Sequence, residues 1–149
     1  MKIPNTYNEW NELLKELANR NQDQKVLESM KQGKLQVQAG VYPRFIKKLI
    51  EVVNSRMDNA SDRFNRELSY AKGQETLIVK ALLGLRKEMN FLVEVVSIPA
   101  IPEKDREMYI NLIKNQANKI QTSLEESAKN IESSGRMLFV VRNNRINKF

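Results

Sequence analysis

QETLIVKALLGLRKEMNFLVEVVS, residues 74–97, is the stretch whose reading decides the fold. Set on a helix at about 100° per residue, Lys80, Lys87, Asn90 and Glu94 fall in one narrow polar wedge. Nearly every other direction carries Leu, Ile, Val, Met or Phe. A helix apolar on most sides sits at the centre of a bundle or is buried in an oligomer. Lys80, Arg86, Lys87, Glu88 and Glu94 interrupt the apolar run from Thr76 to Ile101, which excludes an ordinary membrane span. Three long helices in one subunit leave such a surface partly bare, so the chain is expected to form a homo-oligomer, with Leu85 and Leu92 at the interface. Gly84 costs about 1 kcal/mol relative to alanine in mid-helix, and the sequence predicts a close helix approach there.

Working outward, SIPAIPEKD (97–105) breaks the chain twice. Pro99 and Pro102 cannot continue a helix, and each pushes its preceding residue towards extended geometry. Pro102 suits the first turn of a fifth helix, with Glu103 and Asp105 near its positive end. Tyr109, Ile113, Ala117, Ile120, Leu124, Ala128 and Ile131 form the apolar seam of that helix, which is expected to end at Gly135.

On the other side, a third helix begins at Pro43 and stops at Gly73. Ile46, Ile50, Val53, Met57, Ala60, Phe64, Leu68 and Ala71 recur at steps of three and four, a bundle seam. NTYNEWNELLKELANR (5–20) opens a first helix, capped by Asn5 or Thr6, with Trp10, Leu13, Leu14 and Leu17 inward. DQKVLESMKQG (23–33) is a short second helix with Val26, Leu27 and Met30 inward and Gly33 as its stop. KLQVQAGVY (34–42) alternates apolar and other residues, but a lone strand has nothing to pair with, so it reads as an extended connection lying on the bundle.

The composition agrees. Five glycines and four prolines in 149 residues favour helices over a sandwich or barrel. That length buries a core without staples, and one domain is expected. The chain has no cysteine and no histidine. It therefore has no disulfide or thiolate chemistry, and it lacks the usual general base and the commonest metal ligand. The first thirty residues show no secretory signal pattern, which makes a cytoplasmic protein the expectation. Neither a P-loop nor a dinucleotide glycine pattern occurs. Asp58 and Asp62 share a helix face, but two carboxylates alone read as solvated surface, and no metal or cofactor is expected. The protein is expected not to be an enzyme.

The net charge of +7 is unevenly placed. Residues 43–72 hold seven cations against four anions, and residues 135–149 hold four against none. On the third helix Lys48, Arg56, Arg63 and Arg66 lie within about 80° of one another. Such an edge fits a phosphate backbone or an acidic partner, although pairs such as Asp62 with Arg66 would quench part of it. In the C-terminal GRMLFVVRNNRINKF (135–149) an apolar run, Met137 to Val141, is expected to dock on the bundle as a β-like or helical strap. Arg136, Arg142, Arg145 and Lys148 supply a purely cationic tip.

The sequence thus predicts an all-α antiparallel helical bundle of three long helices plus two shorter N-terminal ones. Residues 1–134 form the bundle and 135–149 a short extended tail. The expected function is non-catalytic: a small adaptor, assembly or regulatory protein that binds another macromolecule, first of all another protein, for which an acidic surface is one option. The alternative is a nucleic-acid-binding protein using the basic edge and tail.

Overall fold

A computed structural model describes residues 1–36, 38–129 and 134–147, with the backbone only for 129 and 134–136. Among these residues every regular element is helical: α1 Tyr7–Ala18, α2 Asp23–Gln32, α3 Val41–Ala71, α4 Glu75–Val96, α5 Glu103–Lys129 and α6 Ser134–Asn143. The helices pack against one another. Among the described residues, no helix is long and apolar enough to cross a membrane. The chain divides into two compact units, Met1–Arg56 with Glu94–Tyr109, and Met57–Val93 with Ile110–Phe149.

The first unit is organised around Trp10. Thr6 caps α1: its hydroxyl accepts from the Glu9 amide, while the Glu9 carboxylate accepts from the Thr6 amide. This reciprocal arrangement satisfies two orphan donors of the first turn. It turns Trp10, Leu13, Leu14 and Leu17 inward. The Trp10 ring lies 4.8 Å from Phe45 in an edge-on contact, and its indole N–H donates to the Lys34 carbonyl at 2.8 Å. Lys34 in turn donates its amide to the Pro4 carbonyl. The segment after α2 is therefore held against the N-terminal residues by hydrogen bonds, and the described residues contain no strand.

Gly33 follows the last residue of α2, as expected of a stop, with φ −70° and ψ 154°, ordinary extended geometry. A glycine is required there for space. A Cβ on Gly33 would lie 2.6 Å from both Pro4 Cγ and Trp10 Cζ2.

Helix α3 begins at Val41, so Pro43 falls inside its first turn. Its inward residues at the front are Phe45 and Leu49, fully buried, whereas Ile46 and Ile50 are half-buried. The expected seam is one residue out of phase here. The pairs Phe45–Ile46 and Leu49–Ile50 are both apolar, so periodicity alone does not choose between them; the stacking on Trp10 does. The break between α4 and α5 is anchored by the buried Ile98 and Ile101, while Pro99 and Pro102 are exposed. Pro102 stands just before α5 and its carbonyl accepts from the Asp105 and Arg106 amides.

In the second unit α4 presents the expected wedge: Lys80, Lys87, Asn90 and Glu94 are all exposed, the last of these falling in the first unit. Leu85 and Leu92 are 2% and 0% exposed within the single chain. Their apolar surface is therefore covered inside the subunit, and Leu77 and Leu83 are the leucines of this helix left exposed. Among the described residues, no heavy atom of another element lies within 4 Å of where a Cβ on Gly84 would stand, so none of them makes the close approach expected there.

The C-terminal segment corrects the sequence reading most. It is not an extended tail: residues 134–143 form α6, and Gly135 lies within α6 instead of ending α5. Ile131 lies outside the described residues. On a helix the five apolar residues of the run cannot all face one way. Val140 and Val141 are buried, as is Ile146 beyond the helix, while Phe139 is 67% exposed.

Candidate functional site

The cationic edge predicted on α3 does not persist as one surface. Arg56 is 2% exposed. Its guanidinium meets the Asp23 carboxylate in two parallel bonds of 3.0 and 2.9 Å and donates to the Leu17 carbonyl at 2.9 Å. This arginine ties α3 to the end of α1 and the start of α2, and its charge is not offered to a partner. The planar fork that suits phosphate recognition suits an internal carboxylate equally well. Arg63 and Arg66 are exposed in the second unit, where Arg63 approaches Glu67 at 3.8 Å. Asp62 and Arg66 form no ion pair. Lys48 alone of the four belongs to an exposed cationic group in the first unit.

That group is a corner that the sequence reading missed. Arg44 and Lys48 are one turn apart on α3 and both are exposed. Tyr7, the first residue of α1, lies beneath them. The Arg44 guanidinium carbon is 4.1 Å from the ring centroid and the Lys48 ammonium 5.6 Å. Both distances are within cation–π range. Partial burial pushes the Tyr7 hydroxyl up, but the Asn11 hydrogen bond and the Lys48 and Arg44 charges outweigh it and hold the pKa below the ordinary tyrosine value. Among the described residues neither Arg44 nor Lys48 forms an ion pair with a carboxylate. The available signal was YPRFIKK (42–48), with cations at i, i+3 and i+4; which aromatic they would cover depends on the packing of α1.

A second polar contact in the same unit is structural. The Tyr42 hydroxyl donates to the Asp105 carboxylate. Burial first, then the hydrogen bond to Asp105 and the Asp105 charge, raise the pKa of Tyr42; burial, then the Asp105 charge, raise that of Tyr109.

The other candidate surface is the C-terminal segment of the second unit. Gln121 of α5, 3% exposed, holds it. Its amide nitrogen donates to the Val141 carbonyl at 3.1 Å, and its oxygen accepts from the Ile146 amide at 3.3 Å. One side chain thus satisfies an orphan carbonyl near the end of α6 and the amide of the turn beyond it. One turn along α5, Glu125 lies 3.9 Å from Arg142 and 4.0 Å from Arg145, both half-exposed. Arg86 of α4 donates to the Arg145 carbonyl at 3.2 Å. Among the described residues of the expected cationic tip, Arg142 and Arg145 are therefore folded back beside the Glu125 carboxylate, with Arg86 bonded to the backbone next to them. The Arg136 side chain and Lys148 lie outside the described residues. Comparisons with protein-family models, curated proteins and solved structures find nothing that matches this chain.

Proposed function

We propose that the protein is non-catalytic and acts by binding another macromolecule, as a small adaptor or assembly protein whose partner presents negative charge. The observation that carries this reading is the corner of Arg44 and Lys48 over Tyr7. Two cations held above an aromatic face, exposed and without carboxylate partners among the described residues, are arranged for an external anion. Within this reading the long helices form an antiparallel bundle, which the short break at residues 97–102 favours. Self-association uses what α4 leaves exposed, Leu77 and Leu83; light scattering that finds a monomer at tens of micromolar rejects that part.

The main reading is tested by Arg44→Gln with Lys48→Gln. Exposed substitutions of this kind change stability by about 0.5 kcal/mol or less. The protein partner recovered with the wild-type chain from its host is expected to be lost with the double variant, and binding is expected to weaken as salt rises. Undiminished recovery with the double variant rejects the corner as the contact.

A nucleic-acid partner is the second reading. What favours it is a different observation, the exposed Phe139 beside Arg142 on α6.

A further inference from the structure

We infer that the outer face of α6 is a contact for single-stranded nucleic acid, in which Phe139 stacks on a base while Arg142, Arg145 and Arg86 take the flanking phosphates. The inference rests on the second reading above. It uses a different surface from the Tyr7 corner, so it holds whatever binds there.

The helix separates two chemistries. Val140 and Val141 are buried at 4% and 0%, and Met137 is half-buried beside them. The opposite direction carries Phe139, Arg142 and Asn143, all exposed. With Leu138 these three line a shallow depression in the surface. An apolar aromatic exposed to 67% is a side chain that a folding chain ordinarily buries. Here Val140 and Val141 supply the apolar anchor of α6, so docking this helix does not require Phe139.

The surroundings choose the occupant. Arg142 follows Phe139 by three residues and shares its helix face. Arg145 and Arg86 stand in the same cluster, linked by the Arg86 bond to the Arg145 carbonyl. Glu125 orients Arg142 and Arg145 from 3.9 and 4.0 Å, beyond hydrogen-bond reach, so their donors remain available to an incoming anion. One flat aromatic face beside several guanidinium groups is the combination used for unpaired bases on a phosphate backbone. A lipid surface calls for a broader apolar face than one phenylalanine. An acidic peptide accounts for the arginines but leaves the exposed ring unused. A duplex offers no free base face to stack.

The test is fluorescence anisotropy with a labelled short oligothymidylate, the corresponding duplex, an acidic peptide and anionic lipid vesicles, all at low salt. The wild-type chain is expected to bind the single strand in preference to the other three. Phe139→Ala is expected to weaken that binding at least about fivefold without changing its salt dependence. Phe139→Trp is expected to restore it and to lose indole fluorescence on binding. Replacing Arg142 and Arg145 by glutamine is expected to reduce the slope of log affinity against log salt by about 1.4, two contacts at about 0.7 each for a single strand. Phe139 is exposed, so neither replacement threatens the fold, and unchanged melting temperatures verify this. If the single strand binds but Phe139→Ala binds it equally well, the stacking contact is wrong while a nucleic-acid partner stands. If no nucleic acid binds, or the peptide or vesicles bind better, both are wrong.

Discussion

At the scale of single residues, two glycines illustrate how position decides sign. Gly33 has a backbone that any residue adopts, yet a methyl group there would meet the Trp10 ring at 2.6 Å. The ring cannot yield, because Phe45 and the Lys34 carbonyl hold it. Gly33→Ala is therefore expected to destabilise by about 1–3 kcal/mol, the usual cost of overpacking. Gly84, in α4, has open space around it, so Gly84→Ala is expected to stabilise by about 1 kcal/mol through helix propensity alone. Urea unfolding of both variants checks the pair, and a loss of stability in Gly84→Ala would show that a close neighbour exists. Glu9 gives a pH signature. The Lys2 hydrogen bond, then the Thr6 and Asn5 amides, lower its pKa from 4.5 to about 2. A depressed carboxylate stabilises the fold above its unfolded pKa and loses that contribution as pH falls through the folded one. Melting temperature is expected to fall between pH 4.5 and about 2, and the fall to be shallower in Glu9→Gln, which retains a capping residue but not the charge. Equal pH profiles for the two proteins would rule out the linkage.

At the scale of elements, α6 is the helix held most visibly by a single polar side chain. Gln121 is buried and bonded to both sides of the helix end, at the Val141 carbonyl and the Ile146 amide. Gln121→Ala leaves both without that partner, and the expected cost is about 1–3 kcal/mol. Amide exchange is expected to rise first in residues 140–146. Uniform exchange across the second unit would show instead that α6 opens only with the rest of its unit. The break between α4 and α5 follows a different logic. The exposed prolines stop the helices, and the buried Ile98 and Ile101 set where the chain goes next.

At the scale of the whole molecule, α3, α4 and α5 each supply residues to both compact units, whose divisions fall after Arg56, Val93 and Tyr109. Charge is distributed by the same folding. Of the excess cations, Arg56 is consumed internally, Arg44 and Lys48 remain at the Tyr7 corner, and Arg142 and Arg145 share Glu125. The apolar interior sets how the molecule responds to a new charge. Leu92 is fully buried within one chain, so Leu92→Glu places an unpaired carboxylate in the core at a cost of several kcal/mol. Loss of a cooperative thermal transition is the expected result. A folded monomer from this variant, with an oligomeric wild type, would return Leu92 to a subunit interface.

The sequence by itself determined the helical class, the inward faces of α1 and α2, the exposed wedge of α4 and the helix break at residues 97–102. Each is a local consequence of apolar spacing, capping residues or proline chemistry. It also held the cations, but not their fates. Arg56 and Lys48 read alike on a helical wheel; only packing placed Asp23 and the Leu17 carbonyl around the first and Tyr7 beneath the second. The run Met137 to Val141 read as a strap because its apolar character is plain in one dimension. Its division into a buried valine pair and an exposed phenylalanine required the helix, and the Gln121 clamp required α5. Periodicity is written along the chain, whereas a partner for a buried charge, space for a glycine or cover for a leucine comes from residues distant in sequence, and only the tertiary structure brings those together.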